Sequence, residues 1–337
     1  VRGLSIKRFA NNIIKVSGIG STKVTIISMN RRRAFQLLGV LGVVVSLGIF
    51  IKEPSFPTPD KIVIFLTFVF MIFGQARELL KRLLPFAVLL FAYESFRGLV
   101  PHLNTHVNYM WMPDVDRLLS FGELPTVILQ RWWWHGSVQW YDFAFYLFYM
   151  LHFVIPFAMA ITIWKLREKH YWRFITTYLV VSFSGFLTFL AFPAAPPWMA
   201  SDMGLIEPIT RVSSDVWYAL GIHDFPSLYS RIAPNPVAAV PSLHAAYATL
   251  FALFAITLFT SRWRYLSLAY PFMIYVGTVY QGEHYAIDEI LGALYAIVAF
   301  YVAPYALKAI TVGWGWLSHS TSPIRRRIVE RIHSLRR

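Results

Sequence analysis

The sequence predicts an all-α fold: a polytopic membrane helical bundle of about eight transmembrane spans, with interfacial helices on the outer side. Three observations predict it. Hydrophobic residues make up 57% of the 337 positions and charged residues only 14%, against about a quarter charged in an ordinary soluble domain. The apolar residues fall in blocks near the roughly 20 residues needed to cross a bilayer. Blocks such as "AFQLLGVLGVVVSLGIFI" are apolar all round, whereas a soluble bundle would show one polar face per helix.

Residues 1–33 form a basic segment without the apolar core or small-residue cleavage site of a signal peptide. It reads as a cytoplasmic lead-in, ordered as a short surface helix, with Val1 or Met29 as the true start. The spans follow at about 34–51, 61–75, 83–99, 140–164, 172–192, 240–260, 264–281 and 285–307. The second is short, with Arg77 as a snorkelling anchor. Residues 34–139 hold the first spans and an interfacial segment, 140–311 the catalytic helical core, and 312–337 a basic cytoplasmic tail.

Charge sets the orientation. With the N-terminus in the cytoplasm and the spans alternating, most of the 31 basic residues fall inside. Of the 17 acids, only Glu78, Glu168 and Glu330 join them. This positive-inside bias accounts for the net charge of +14 as orientation and contact with anionic lipid heads, and argues against nucleic-acid binding. The outer face therefore receives 100–139 and 193–239. The first carries Trp132–Trp134 and Trp140, suited to the headgroup layer. The second opens with "PAAPPW", whose prolines end a span by removing backbone donors, and closes with "RIAPNPVAAVPSLH"; it reads as an ordered cap over a site. No internal repeat is evident. The chain has no cysteine, which excludes disulfides and thiolate metal sites.

Ionisable residues at span ends mark function, because they are costly there. "YQGEHYAID" (280–288) concentrates Glu283, His284 and Asp288 at an outer junction. His284 and Asp288 are four apart, one turn on a helix, so the carboxylate can hold one imidazole nitrogen and leave the other free. "VPSLHAAYATL" (240–250) brings His244 to the same side at the start of a span, with Pro241 and Ser242 fitting a helix N-terminus. Two histidines and a carboxylate at a membrane surface suit phosphoryl transfer: one imidazole attacks phosphorus and the other protonates the leaving oxygen, through a phosphohistidine. His-x3-Asp can also ligate zinc, but Glu283 and Glu289 point elsewhere on a helical wheel. No metal or other cofactor is expected.

"PSLHAA" followed some forty residues on by "GEHYAID" resembles the type 2 phosphatidic acid phosphatase superfamily. The resemblance covers about 190–295. It implies His244 as proton donor, His284 as nucleophile and Asp288 as its orienting partner, with no metal. Phosphatase members also carry Lys-x6-Arg-Pro and an arginine six residues before the nucleophile. This chain has no Arg-Pro dipeptide, and Thr278 stands at the second position. With "FPAAPPW", "YESFRGLVPHLNTHV" and "DVDRLLSFGELPT", it is similar instead to the inositol phosphorylceramide synthase branch, which moves phosphoinositol between lipids.

Both missing groups are phosphate clamps, and some cation must offset the transition-state charge. Arg97, Arg231 and Arg211 are the candidates, unless they pair with Glu94, Asp114 or Asp116. Glu94 and Ser242 complete the candidate substrate-binding set. Glu94 and Asp142 could meet inositol hydroxyls, although such residues more often cap helices or pair with arginine. His152 falls mid-span and reads as a hydrogen-bonded core histidine. The expectation is a lipid phosphotransferase with a phospholipid donor and a lipid or polyol acceptor, in a bacterial plasma membrane with both termini cytoplasmic. A lipid phosphate phosphatase using the same residues is the nearest rival; a non-catalytic carrier or scaffold is the rival of another class.

Overall fold

The computed structural model describes residues 31–52, 59–221 and 235–309. The basic lead-in, the tail after 309 and Arg231 lie outside the described residues. Helices carry the whole described architecture: among those residues no strand forms, and Asn108, Ala194 and Ala238 make only isolated parallel bridges.

The order begins with α1 (Arg31–Lys52), α2 (Pro59–Ile72) and α3 (Ala76–Arg97), each packed on the next. Short helices α4 (Val100–Leu103), α5 (Trp111–Leu119) and α6 (Pro125–Trp133) follow. Next come α7 (Trp140–Leu151), α8 (Ile155–Leu166) and α9 (Tyr171–Ala191). The outer segment contributes α10 (Pro197–Asp202) and α11 (Val212–Ala219). The last helices are α12 (Leu243–Leu258), α13 (Ala269–Tyr280) and α14 (Ala286–Ala309).

Each predicted span meets a helix, but not all reach spanning length. Among the described residues, four helical stretches are long and apolar enough to cross a bilayer: α1, α3 with α4, α9 with the turn before it, and α14. The predicted span 140–164 is a pair, α7 and α8, bent by 56°, which would make a fifth. At the break His152, Phe153 and Val154 bond to carbonyls three residues back, and Pro156 follows in the first turn of α8. Helices α2, α12 and α13 have 14, 16 and 12 residues; at about 1.5 Å per residue they fall short of a full hydrocarbon core.

One end of the bundle gathers its basic residues. Arg82 meets Glu168, Lys165 meets Gln75, and Arg167 Nε donates to the Leu258 carbonyl at 2.9 Å. The starts of α3 and α9 therefore lie beside the ends of α8 and α12. The core between them is aromatic and aliphatic, with Phe86, Phe157, Tyr178, Phe254 and Phe300 among its buried members. Exposed apolar side chains cover α1, as expected of a lipid-facing helix.

The other end carries the short helices. Trp132 and Trp140 are exposed there, whereas Trp133 packs against Phe145 and Tyr280 with ring centroids 5.6 and 5.5 Å away. The tryptophan cluster thus divides between surface and core. As expected, "PAAPPW" follows the end of α9. The Trp198 N–H of α10 then bonds to the Gly282 carbonyl at 3.2 Å, so this part of the outer segment docks on the turn that carries His284.

Helices α12 and α14 approach as closely as backbones can. The Ser242 N–H donates to the Asp288 carbonyl at 3.0 Å. Gly292 sits against the same turn: a β-carbon there would fall 2.1 Å from the Ser242 carbonyl oxygen. Gly292→Ala is expected to lower stability by about 1–3 kcal/mol through overpacking and to depress activity with it. Gly48→Ala, where an added β-carbon meets nothing within 4 Å, is expected to be neutral or slightly stabilising. Thermal unfolding of the two variants in detergent checks the contrast.

Candidate active site

The site is built on a reversed turn between α13 and α14. Gly282 has φ +76°, a left-handed conformation that glycine adopts without steric cost. The turn lets Glu283 and His284 both donate backbone N–H groups to the Thr278 carbonyl, at 3.0 and 3.3 Å. Helix α14 begins two residues after His284, and its first N–H groups have no partner within the helix. Buried carboxylates meet them. Asp288 Oδ2 accepts from Tyr285 N at 2.9 Å. Asp116, from α5, accepts from Ala286 N at 2.8 Å through Oδ2 and from Ile287 N at 2.9 Å through Oδ1. Burial pushes Asp116 up to about 6, against the lowering effect of those two N–H groups.

His244 enters from the first turn of α12. Ser242 caps that helix, its hydroxyl accepting from Ala245 N at 3.2 Å. His244 Nδ1 lies 3.2 Å from His284 Nε2, and His284 Nδ1 lies 3.4 Å from Asp288 Oδ2. The three residues predicted from separate stretches therefore form one chain of contacts. The tautomers follow. A neutral His284 donates from Nδ1 to Asp288 and keeps a lone pair on Nε2; His244 then carries its proton on Nδ1, facing that lone pair. Burial opposes charge on His284, but its hydrogen bond to Asp288 and the carboxylates of Glu289, Asp288 and Glu283 outweigh burial and raise its proton affinity above the ordinary histidine value.

His152 is a correction to the sequence reading. It sits at the α7–α8 break rather than in a satisfied core position, and its Nδ1 is buried without a hydrogen-bond partner. Its ring lies 4.2 Å from that of His244, whose other neighbour is Tyr149 at 4.5 Å. The bend between α7 and α8 is what delivers these two rings to His244. Glu283 also differs from the helical-wheel reading: it precedes the helix and lines the cavity with His244 and His284.

The candidate binding residues separate. Glu94 and Arg97 line that cavity, and Arg97 Nε and a terminal nitrogen both donate to Glu94 Oε2, at 3.0 and 2.7 Å. Arg211 is not on the cavity wall. It grips Glu283 with two bonds of 2.9 and 3.2 Å, reinforced by Ser213, and stacks on Trp198 with its guanidinium carbon 4.1 Å from the ring centroid. Ser242 is fully buried in its capping role. Asp142 caps α7, accepting from Gln139 N and from the Tyr280 hydroxyl, both at 2.7 Å. Thr278, at the position of the phosphatase arginine, is buried with its hydroxyl 2.8 Å from Glu289 Oε1. Among the described residues no cluster of three or more histidines and carboxylates is arranged to hold a metal ion.

Sequence reasoning missed two residues that hold the site. Asp116 appeared only as a possible arginine partner. Gln130 of α6 bonds through Nε2 to the carbonyls of Thr210 and Tyr280, at 2.7 and 2.9 Å, and through Oε1 to Thr210 N at 3.0 Å. The available signal for Asp116 was a carboxylate on the helix face it shares with Met112 and Pro113; Gln130, which shares its buried face with Thr126, gave none.

With His284 Nε2 as the expected nucleophile, only its unprotonated form could attack, so activity is expected to rise with pH through the His284 titration. The raised proton affinity places this acid limb above about 6.5, the unperturbed histidine value. Asp288→Asn removes the hydrogen bond and one negative charge. The limb should then move to lower pH while kcat falls roughly 100-fold or more. A pH profile of kcat for both proteins checks the shift.

Comparison with known proteins points the same way. The PAP2 superfamily matches residues 111–302. The phosphoinositol dihydroceramide synthase of Bacteroides thetaiotaomicron is 30% identical over 69% of this chain and 79% of its own length. The inositol phosphorylceramide synthase catalytic subunit of Schizosaccharomyces pombe is 28% identical over 60% of this chain and 46% of its own. The inositol phosphorylceramide synthase of Candida albicans is 29% identical over 46% and 34%. No solved structure matches. The superfamily match runs from α5, with its Asp116, through both histidines and Asp288, and the chain belongs to the PAP2 superfamily, with inositol phosphorylceramide synthases among its relatives.

Proposed function

We propose that the chain is a membrane lipid phosphotransferase that moves phosphoinositol from phosphatidylinositol to the hydroxyl of a ceramide-type lipid, through a phosphohistidine. One observation carries the reading: His244 and His284 face each other at 3.2 Å while Asp288 holds the far side of His284. The headgroup and acceptor come from the names of the relatives, which carry phosphoinositol with dihydroceramide or ceramide.

In the first step the phosphate enters between the two rings. His284 Nε2 attacks phosphorus, the bond to the diacylglycerol oxygen breaks, and His244, entering this step as the imidazolium, gives that oxygen its Nδ1 proton and is left neutral. In the second, the acceptor hydroxyl gives its proton to His244, its oxygen attacks phosphorus, and the phosphorus–nitrogen bond breaks. His284 is regenerated and His244 again holds a proton. Splitting the transfer this way lets one pair of imidazoles serve both halves. Arg97, paired with Glu94 on the cavity wall, contributes positive charge near the phosphate.

We read α2, α12 and α13 as crossing segments beside the longer helices, which gives eight spans. The site then lies on the outer face, opposite the end where Arg82, Lys165 and Arg167 gather, with both termini cytoplasmic. Of the segments drawn from the sequence, 140–311 carries the reacting groups, and Asp116 reaches into it from 34–139.

Purified protein given headgroup-labelled phosphatidylinositol and ceramide should yield a labelled inositol phospholipid and diacylglycerol. His284→Ala should lower the rate by roughly 10⁴-fold or more. Release of inorganic phosphate from phosphatidate, with no headgroup transfer, would establish the phosphatase reading instead. Full function in His284→Ala would establish a carrier or scaffold.

A further inference from the structure

We propose that Asn235 is a substrate-binding residue, its side-chain Nδ2 group donating a hydrogen bond to a non-bridging oxygen of the phosphate addressed by the two histidines. The assignment rests on the reading of this cavity as a phosphate-transfer site. It concerns a residue just before the "VAAVPSLH" stretch that neither the motif nor the chemistry of the histidines identifies.

Asn235 lines the same cavity as His244, His284 and Arg97. It is only 3% exposed, and its Nδ2 is a buried donor with no hydrogen-bond partner among the described residues. Its orientation is set from the other end of the amide, where Oδ1 accepts from Val237 N at 3.1 Å. The following backbone is held as well: Ala194 N donates to the Val237 carbonyl at 2.8 Å, and Ala239 N to the Ala194 carbonyl at 3.2 Å. These contacts restrain the amide beside the cavity. Buried donors are almost always satisfied, and an orphan in a functional cavity calls for an acceptor that arrives from outside.

The charge around the cavity indicates which acceptor. Arg97 is paired with Glu94, Arg211 with Glu283, and Thr278 replaces the arginine of the phosphatase pattern. Among the described residues, Arg97 and Arg211 are thus each matched by a carboxylate. Such surroundings fit a phosphodiester, which carries one negative charge, better than a phosphomonoester, which carries about 1.5 to 2 at neutral pH. A fixed neutral donor suits that single charge: it points at the oxyanion, holds it in a dry site, and adds no surplus positive charge. Asn235 supplies in this way part of the contact that the absent arginines make elsewhere.

The test uses full-length protein in detergent, with short-chain phosphatidylinositol as diester probe and short-chain phosphatidate as monoester probe. Binding is measured by titration calorimetry for the wild type, Asn235→Ala and Asn235→Asp. The aspartate is the decisive variant, since it keeps the acceptor for Val237 N but replaces the donor with an anion. Thermal unfolding should leave it close to the wild type. The wild type is expected to bind the diester more tightly than the monoester. Asn235→Ala should weaken binding roughly 10-fold and Asn235→Asp further, with transfer rates falling roughly 100-fold. Unchanged affinity in Asn235→Asp for the probe that the wild type binds overturns the assignment. A wild type that prefers phosphatidate overturns the diester reading under the proposed function, while Asn235 is then judged on the phosphatidate titrations. Absence of binding by either probe overturns both.

Discussion

A helix that starts inside a membrane protein must find partners for N–H groups that its own first turn cannot satisfy. At the head of α14 this need organises the site. Asp116 takes the N–H groups of Ala286 and Ile287, and Asp288 takes that of Tyr285. The first carboxylate comes from α5, so the interfacial segment is tied to the catalytic turn. The second remains within reach of His284 Nδ1. Negative groups are favoured at a helix N-terminus, which offsets part of the cost of burying these carboxylates beside His284. The Ser242 N–H to Asp288 carbonyl bond then couples α12 to the same point, and His244 reaches His284 because the helices meet there.

Among the described residues, the charged groups around the histidines pair with one another. Glu283 is held by Arg211 and Ser213, Glu94 holds Arg97, and Glu289 receives Thr278. Arg211 acts through Glu283, which adjoins His284 in the chain and adds to the field that raises its proton affinity. Arg211 thus orders the wall through Glu283, while Glu94 holds Arg97 beside the cavity.

How much of this could be read from the residues depended on the distance over which each contact acts. His284 and Asp288 were legible because i and i+4 share a helix face, and Ser242 because a serine before an apolar run caps it. His244 was legible once the Lys and Arg bias placed both motifs at one membrane face. Asp116 was not, since its partners lie about 170 residues away and no periodicity records such a pairing. His152 was misread because a uniformly apolar stretch gives no sign of the 56° break that turns its ring toward His244. Helix length was hidden by the same uniformity: hydropathy marks α12 and α13 as apolar but does not show that they are only 16 and 12 residues long. Asn235 sits in a proline-rich loop, where an amide ordinarily marks a turn.

The contact between the two imidazoles bears on the proposed mechanism. His284 Nε2 lies 3.2 Å from His244 Nδ1, close enough for the neighbouring ring to engage its lone pair. Under that mechanism the phosphate must part the rings before attack, so reactivity would be unlocked by occupancy rather than switched on by a separate signal.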